Sequence, residues 1–388
     1  MAVVTSLVVG AIVGAIASSR LTNAPAANAP AAPAAPTSFS AVPDAIGAED
    51  VSGPYEVVPG WPQDLSTLPG HEKWTWGAAQ GIFAESPNRV YVVQRGELPL
   101  LQRPAARALP DMPSLSFPVG QVPFRNASQG PASSPPGAGG PGADPDDPKQ
   151  QWGGRMGVDA RWEHTIVVLN AAGDIVEGWT QWDKMMRRPH AVYVNPWDAQ
   201  KHVWIVDDHS HAIFKMTNDG KQIVQTIGTP NQKGTDGAHF NRPTFMAFLP
   251  DSSFFVADGY NGNRVAKFDK DGKFVKETFI AKKTLGDGSV WDIAFSHDPE
   301  QRYIYMPDGR NMKVRIIDRE SLETIYSFGQ GGRYPGMFFG SHSIAVDSQG
   351  NIYTTETYEG KRIQKFVYMG ERSISEGDQG PPWPTDRL

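Results

Sequence analysis

Residues Phe240–Val275, FNRPTFMAFLPDSSFFVADGYNGNRVAKFDKDGKFV, show the fold of this chain most clearly. It holds four short apolar or alternating runs, separated by residues that favour turns, among them Asn261-Gly262 and Asp271-Gly272. The predicted strands are Thr244–Leu249, Ser253–Ala257, Arg264–Phe268 and Phe274–Thr278. Four short strands joined by tight turns predict one four-stranded antiparallel blade.

Copies of this pattern recur about every 50 residues, a repeat period that is typical of a β-propeller rather than of a single sandwich. Further copies lie at Pro189–Thr226, Val290–Phe328 and Ser341–Phe366. One more unit is split, with strands predicted at Gly81–Phe83, Arg89–Val93, His164–Leu169 and Asp174–Trp179. The sequence therefore predicts an all-β propeller with five visible repeat units.

The predicted propeller spans residues 53–370 and carries an insertion at 99–161. The middle of the insertion, Ala127–Gln151, is rich in Pro, Gly, Ser and Ala and is predicted to be disordered. Its apolar ends are candidates for a lid over the channel mouth. The last repeat shows only three strands, so the isolated strand Tyr55–Trp61 is predicted to complete it and close the ring.

Composition excludes some classes of function. The chain has 388 residues, a net charge of −6 and scattered basic residues, which gives no reason to expect nucleic-acid binding. It contains no cysteine, so disulfides and thiolate chemistry are excluded.

The N-terminal segment points to export. Ala2–Ala17 is uncharged and ends in Ala15-Ile16-Ala17, so residues 1–20 are predicted to be a signal peptide or an uncleaved anchor. Residues 21–52 form an Ala/Pro-rich linker, and residues 371–388 a polar tail. We expect a periplasmic or extracellular protein, with a membrane tether if the segment is retained.

The repeats resemble the NHL type, and the chain resembles the peptidyl-α-hydroxyglycine α-amidating lyase family. The strings that carry the resemblance include Gln94-Arg95-Gly96, Pro189-His190, Ala257-Asp258-Gly259-Tyr260 and His342-Ser343-Ile344-Ala345. The resemblance covers roughly residues 55–369 and is patchy in the first third. It implies six blades, whereas the sequence shows five, so a five- or six-bladed propeller is expected.

Propeller sites lie on the axis, where the inner strands of all blades begin. Aligned there, the five units give one ring, made of Gln80, His190, Thr244, Trp291 and His342. The resemblance implies that His190 and His342 bind zinc or another divalent transition metal. The position of the third histidine holds Trp291, or Thr244 if a missing blade lies between these two positions. Ser343 replaces the carboxylate that helps to hold calcium in the family, so calcium is not expected.

The resemblance also implies two catalytic residues. Arg95 matches an arginine that binds the substrate carboxylate, and Tyr260 a tyrosine that acts at the substrate hydroxyl. Structural alternatives stay open: the histidines can bond backbone groups, Arg95 can bridge two blades, and Tyr260 can cap a loop. Asp207, Asp258, Asp308 and Glu356 end the second strands of their blades and are predicted to hold the turns that follow.

Three functions follow from these features. The first is an exported, metal-assisted carbon–nitrogen lyase acting on a carbinolamide, with a small-molecule or peptide-like substrate. The second is a non-catalytic NHL-repeat propeller that binds a protein partner at its top face as a membrane-tethered module. The third, a sugar-lactonase type of hydrolase, needs a central carboxylate and asparagine metal site, for which Asp292 alone qualifies.

Overall fold

We describe a computed structural model of the chain. It describes residues 60–100, 161–332, 334–356, 360 and 362–370, together with the backbone of residues 106–109 and 112–118. The predicted signal segment, linker, low-complexity stretch and polar tail lie outside these residues. Among the described residues, no helix combines the length and the apolar character that a membrane crossing requires.

The described residues are almost entirely strands and turns. In chain order the strands are β1 (Trp74–Ser86), β2 (Arg89–Pro99), β3 (Ala106–Leu109), β4 (Met112–Pro118), β5 (Ile166–Leu169), β6 (Ile175–Gly178), β7 (Pro189–Val194), β8 (Val203–Asp207), β9 (Ala212–Met216), β10 (Ile223–Ile227), β11 (Phe245–Phe248), β12 (Phe254–Asp258), β13 (Arg264–Phe268), β14 (Phe274–Phe279), β15 (Ala294–Phe295), β16 (Tyr303–Asp308), β17 (Lys313–Asp318), β18 (Thr324–Phe328), β19 (Ser341–Val346), β20 (Ile352–Glu356) and β21 (Ile363–Phe366). Two single 3-10 turns, Leu65–Thr67 and Thr180–Trp182, complete the regular structure of these residues.

Five antiparallel sheets form the blades of a β-propeller. Blade 1 is β1-β2-β5-β6, blades 2, 3 and 4 are β7 to β10, β11 to β14 and β15 to β18, and blade 5 is β19 to β21. The predicted all-β propeller with five repeat units is confirmed, including the split first blade. A cavity of about 320 Å³ on the axis is lined by inner-strand residues of all five blades.

The insertion leaves blade 1 between β2 and β5. Its ends are held together at the base, where Glu97 and Arg161 exchange two backbone hydrogen bonds of 2.7 and 3.0 Å. Gly96 has a φ of +68°, and a Cβ there would lie 2.4 Å from the Arg161 carbonyl oxygen, so a glycine is required at this close approach. The insertion also contains the hairpin β3-β4, which the sequence reading did not predict as strands.

Neighbouring blades pack through apolar side chains from facing sheets. Blades 2 and 3, for example, enclose Phe254 and Phe268, whose rings stack with centroids 5.4 Å apart. Burying whole aromatic side chains in this way supplies much of the driving force for the fold. On blade 1, the face opposite blade 2 packs against Trp61 and Trp76.

A repeated turn fixes the side chains at the top of the blades. The residue directly before the third strand has a left-handed φ in blades 2 to 4, at His211, Asn263 and Met312, and in blade 1 the residue two positions before it, His164, has one. The acidic residue that ends the second strand accepts hydrogen bonds from backbone N–H groups of nearby turns and connecting segments. Asp207 accepts from the backbone N–H of Arg187, Arg188, His209 and Ser210, Asp258 from Asn241, Asp308 from Asn311 and Glu356 from Phe339. Asp207 and Asp308 therefore hold the turns that follow them, as the sequence predicts, whereas the cited bonds of Asp258 and Glu356 reach the segments that precede the first strands of their blades.

Blade 5 has three strands among the described residues. The strand predicted to complete it, Tyr55–Trp61, lies mostly outside those residues, so closure of the ring by this strand stays a prediction.

Candidate functional site

The predicted ring residues converge at the channel mouth. The Thr244 carbonyl lies 3.1 Å from Nδ1 of His190, and the Thr244 hydroxyl donates to the Trp291 carbonyl at 2.8 Å. The Trp291 and His342 rings are in contact, with centroids 5.8 Å apart. Gln80 joins the ring through Arg95, whose Nη2 donates to the Gln80 Oε1 at 2.5 Å.

Tyr260 lies between the two histidines. Its hydroxyl oxygen is 2.9 Å from Nε2 of His190 and 2.8 Å from Nε2 of His342. Tyr260 follows β12 and belongs to a different blade from either histidine. Two imidazole nitrogens and one phenol oxygen from three blades thus meet at a single point.

The surroundings of His190 define its tautomer. Its Nδ1 faces a carbonyl oxygen, which can only accept, so Nδ1 carries the proton and Nε2 keeps its lone pair. Histidines that ligate metals commonly have this arrangement, in which the second ring nitrogen donates to a carbonyl. The same lone pair can accept the Tyr260 proton in the absence of a metal.

Both histidines are held neutral. Burial lowers the pKa of His342 to about 4, and the nearby Arg95 charge acts in the same direction. Burial also lowers the pKa of His190 well below its usual value, against the opposing effect of Asp208. Burial raises the pKa of the Tyr260 hydroxyl, which therefore stays protonated near neutral pH. Neutral imidazoles are the form that accepts a proton or binds a cation.

Arg95 lies fully buried at the channel, with 1% of its surface exposed. Its charge affects the pKa values of His190, His342 and Tyr260, which places it within electrostatic reach of all three. The structure therefore brings His190, His342 and Tyr260 into direct contact, and Arg95 contacts the same ring of residues through Gln80. Their chemical roles stay predictions.

A second layer behind these residues was missed by the sequence reading. Arg188 and Arg242 are buried, and both pair with Asp208, at 3.5 Å from Arg188 Nε and 3.2 Å from Arg242 Nη2. The two arginines occupy the same repeat position, two residues before the ring residue, in Arg188-Pro189-His190 and Arg242-Pro243-Thr244. Aligning the repeats on this Arg-Pro pair would have found them.

Asp208 is the counter-charge of this layer. Burial opposes its ionisation, but Arg188, His209 and Arg242 together hold the pKa of the Asp208 carboxyl well below its usual range. Arg188 also lies 2.8 Å from Nε2 of His209. The layer therefore keeps one carboxylate ionised among positive charges directly behind the channel mouth.

The Tyr260 ring is clamped on two sides. The Arg242 guanidinium lies 4.7 Å from the ring centroid, and the Trp291 ring packs edge-on at 5.7 Å. Arg310 lies over Trp291 and pairs with Asp287 at 2.6 Å. It is half exposed at the rim.

The channel contains a carboxyl group below the inner-strand residues at its mouth. Asp292 accepts hydrogen bonds from the Ser343 hydroxyl at 2.7 Å and from the backbone N–H of Ile293 and Ile344. Burial raises its pKa to about 7, although these hydrogen bonds act in the opposite direction. Because its oxygens are already occupied, the lactonase interpretation gains no support from Asp292.

A separate His/Glu cluster that could bind a metal ion lies at the base of the insertion. One ligand atom each from His71, Glu97, Glu163 and His164 lies within 4.8 Å of the others. Within the part of the chain that the structure describes, this is the one such group of three or more. The sequence reading missed it because its members come from three separate segments with no metal-binding spacing.

Fold and site together define a five-bladed β-propeller with a His–Tyr–His arrangement and a buried arginine at its channel mouth. Comparison with known proteins shows distant homology to peptidyl-α-hydroxyglycine α-amidating lyases and to NHL-repeat proteins. Lyase 2 of Drosophila melanogaster is 34% identical over 115 residues, which are 29% of this chain and 27% of the lyase. The probable lyase pgal-1 of Caenorhabditis elegans is 34% identical over 130 residues, 33% of this chain and 36% of the relative. The matches thus span about a third or less of these two lyases.

A longer match exists to a protein that is not named as an enzyme. NHL repeat-containing protein 3 of Mus musculus is 29% identical over 249 residues, 50% of this chain and 71% of the relative. No protein-family profile matches the chain. Among solved structures, virginiamycin B lyase from Staphylococcus aureus aligns at a TM-score of 0.36 with 13% identity, covering 76% of this chain and 85% of the other. Likeness at this level carries no argument about function.

Proposed function

We propose that this protein is a metal-assisted carbon–nitrogen lyase that cleaves an N-acyl carbinolamide bearing a carboxylate. The observation that carries the proposal is the convergence of His190 Nε2, His342 Nε2 and the Tyr260 hydroxyl beside the buried Arg95. Distant homology to amidating lyases supports it. The strings shared with that family contain all four residues.

The channel residues fit a divalent transition metal in part. His190 and His342 would hold it through Nε2, and the oxygen of Tyr260 lies within reach of the same point. Trp291 supplies no ligand where a third histidine would stand, so we expect weaker binding than at a complete three-histidine site. When bound, the metal would polarise the substrate hydroxyl and make its proton more acidic.

The residues of the chain itself suffice to describe the proton movements. Arg95 binds the substrate carboxylate through its planar guanidinium. Tyr260, acting as its phenolate because both Nε2 atoms would be metal ligands, takes the proton of the substrate hydroxyl and holds it for transfer to the departing amide nitrogen. The hydroxyl oxygen becomes a carbonyl, the C–N bond breaks, and the proton returns to the amide nitrogen. The products are a primary amide and an aldehyde such as glyoxylate.

A non-catalytic binding module is the second candidate. Trp291 interrupts the metal-ligand ring, and the longest of the sequence matches reported above is to an NHL repeat-containing protein. In that case the top face of the propeller would bind a protein partner, and the channel residues would only stabilise the blades. In either case we propose an exported protein, held at a membrane if the N-terminal segment is retained.

The test combines metal content with product formation. The full-length protein is analysed by elemental mass spectrometry and incubated with an N-acyl-α-hydroxyglycine, and glyoxylate release is measured. The variant His190→Ala/His342→Ala should lose both the channel metal and the activity, whereas His239→Ala, at a partly exposed histidine paired with Asp236, should keep both. If the unaltered protein releases no glyoxylate after reconstitution with zinc, the lyase proposal is wrong.

A further inference from the structure

We infer that His71, Glu97, Glu163 and His164 form a second, structural metal site, separate from the channel, that fastens both ends of the insertion to blade 1. The metal would be zinc or another divalent transition metal. The inference does not depend on the proposed lyase activity.

The ligand groups come from three chain segments that the metal would join. His71 lies in the turn before β1, Glu97 in the last part of β2, and Glu163 and His164 just before β5. The last two segments are the two ends of the insertion, already joined by the backbone bridge between Glu97 and Arg161. A metal here would link the turn before β1 to both ends of the insertion.

Glu97 is the centre of the cluster. Its carboxylate is fully buried, and one oxygen lies 2.9 Å from Nδ1 of His71 while the other lies 2.6 Å from Nδ1 of His164. Nε2 of His71 is 3.8 Å from the carboxylate of Glu163, which is 43% exposed. Both histidines are almost fully buried. The groups are therefore in place before any metal binds.

The distances require little movement for metal binding. Ligand atoms about 2.1 Å from a tetrahedral zinc are roughly 3.4 Å from one another. The four candidate atoms lie within 4.8 Å of each other already, so small rotations of side chains would suffice. A set of two imidazoles and two carboxylates suits zinc and its neighbours in the first transition row better than calcium, which prefers oxygen ligands alone.

The local charge also favours a cation. Two carboxylates lie together, and among the described residues the guanidinium of Arg161 lies beside them, 2.6 Å from Glu163 and 4.0 Å from Glu97. The two carboxylates and this guanidinium together carry one net negative charge in a largely buried place. A divalent cation would compensate that charge, and the contact of Arg161 with Glu163 would loosen when the carboxylate turned to the metal.

The alternative is a metal-free hydrogen-bond network in which Glu97 accepts from both histidines. Zinc titration distinguishes a metal site from this hydrogen-bond network. Metal is first removed from the full-length protein with a chelator, and the zinc bound per chain is then measured. The variants are Glu163→Gln, whose side chain is half exposed, and His71→Gln. His190→Ala/His342→Ala serves as the matched control, because it removes only the channel histidines.

We expect each cluster variant to lose one equivalent of bound zinc or to bind it much more weakly. The loss in zinc affinity should exceed roughly 10–100-fold, which is the cost of losing a residue that only supports a metal ligand. The channel variant should retain that equivalent. Cobalt reconstitution gives a second readout, since absorption bands of a tetrahedral cobalt site should disappear in His71→Gln. Equal zinc content and equal cobalt spectra in the unaltered protein and both cluster variants would overturn the inference.

Discussion

The hydroxyl oxygen of Tyr260 lies 2.8 Å from Nε2 of His342, a residue of a blade two positions further around the ring. The same oxygen is 2.9 Å from Nε2 of His190. One phenol thus connects two imidazoles that no strand pairing brings together. Because both histidines are held neutral, the phenol proton can move toward whichever Nε2 accepts it.

Replacing Tyr260 with phenylalanine should therefore abolish the chemistry while the fold remains. We expect Tyr260→Phe to lower kcat by about 100-fold or more, since a positioned proton-transfer group contributes typically 10²- to 10⁴-fold. Glyoxylate release and circular dichroism are the measurements. Tyr193→Phe is the matched control, because this tyrosine lies in β7 and its hydroxyl only accepts from the Met246 backbone N–H. Equal losses in the two variants would contradict a special role for Tyr260.

Removal of the Asp208 charge should destabilise the protein. Asp208 is the buried partner of both Arg188 and Arg242, and breaking a buried pair by removing one partner costs roughly 3–5 kcal/mol. We expect Asp208→Asn to lower the free energy of unfolding by about that amount in urea titrations. The exposed Asp219→Asn, which removes a surface pair with Lys221, should leave stability unchanged. A similar stability for both variants would show that Asp208 is not needed to balance the arginines.

The repeated parts of this structure could be predicted from the sequence, and the contacts between blades could not. The strand pattern of Phe240–Val275 has a period that local residue types define, so its copies and the split first blade are visible in one chain. The positions of His190 and His342 follow from the same alignment. The Arg-Pro pair marks Arg188 and Arg242 in the repeats, but their pairing with Asp208 depends on which turns meet across blades. The cluster around Glu97 depends on how three separate segments meet at blade 1, and no local pattern encodes either distance.

The buried carboxyl of Asp292 should make stability depend on pH. Its pKa is about 7 in the folded protein, against an ordinary value of 3.8. Between these two values the folded state binds more protons than the unfolded state, so stability falls as pH rises from about 4 to about 7. The full difference corresponds to roughly 4 kcal/mol.

Asp292→Asn should therefore show a flatter dependence of the unfolding free energy on pH across this range. Chemical denaturation at several pH values measures it, with the exposed Asp271→Asn as a control that keeps the profile of the unaltered protein. If Asp292→Asn keeps the same slope, another group is responsible for the proton uptake.

Trp291 occupies the position at which a third metal-binding histidine would stand. Its ring packs beside Tyr260 and His342, and its Nε1 donates to the backbone carbonyls of Asp287 and Gly288. A histidine at this position would bring a third imidazole to the channel mouth. Three protein ligands are the usual set of a catalytic zinc. We expect Trp291→His to bind zinc at least about 10-fold more tightly than the unaltered protein. Changes in the groups around a metal site typically alter its metal affinity by at least that factor.

The substitution also removes a large buried side chain, and loss of tryptophan packing costs roughly 3–5 kcal/mol when the replacement is alanine. Trp291→Phe is the matched control, because it loses the indole N–H and adds no ligand. Zinc titration of the two variants in the His71→Gln background isolates the channel from the cluster at the base of the insertion. Tighter zinc binding by Trp291→His alone would show that His190 and His342 are positioned as ligands and lack only the third. Equal affinities would mean that their Nε2 atoms serve the Tyr260 hydroxyl rather than a metal.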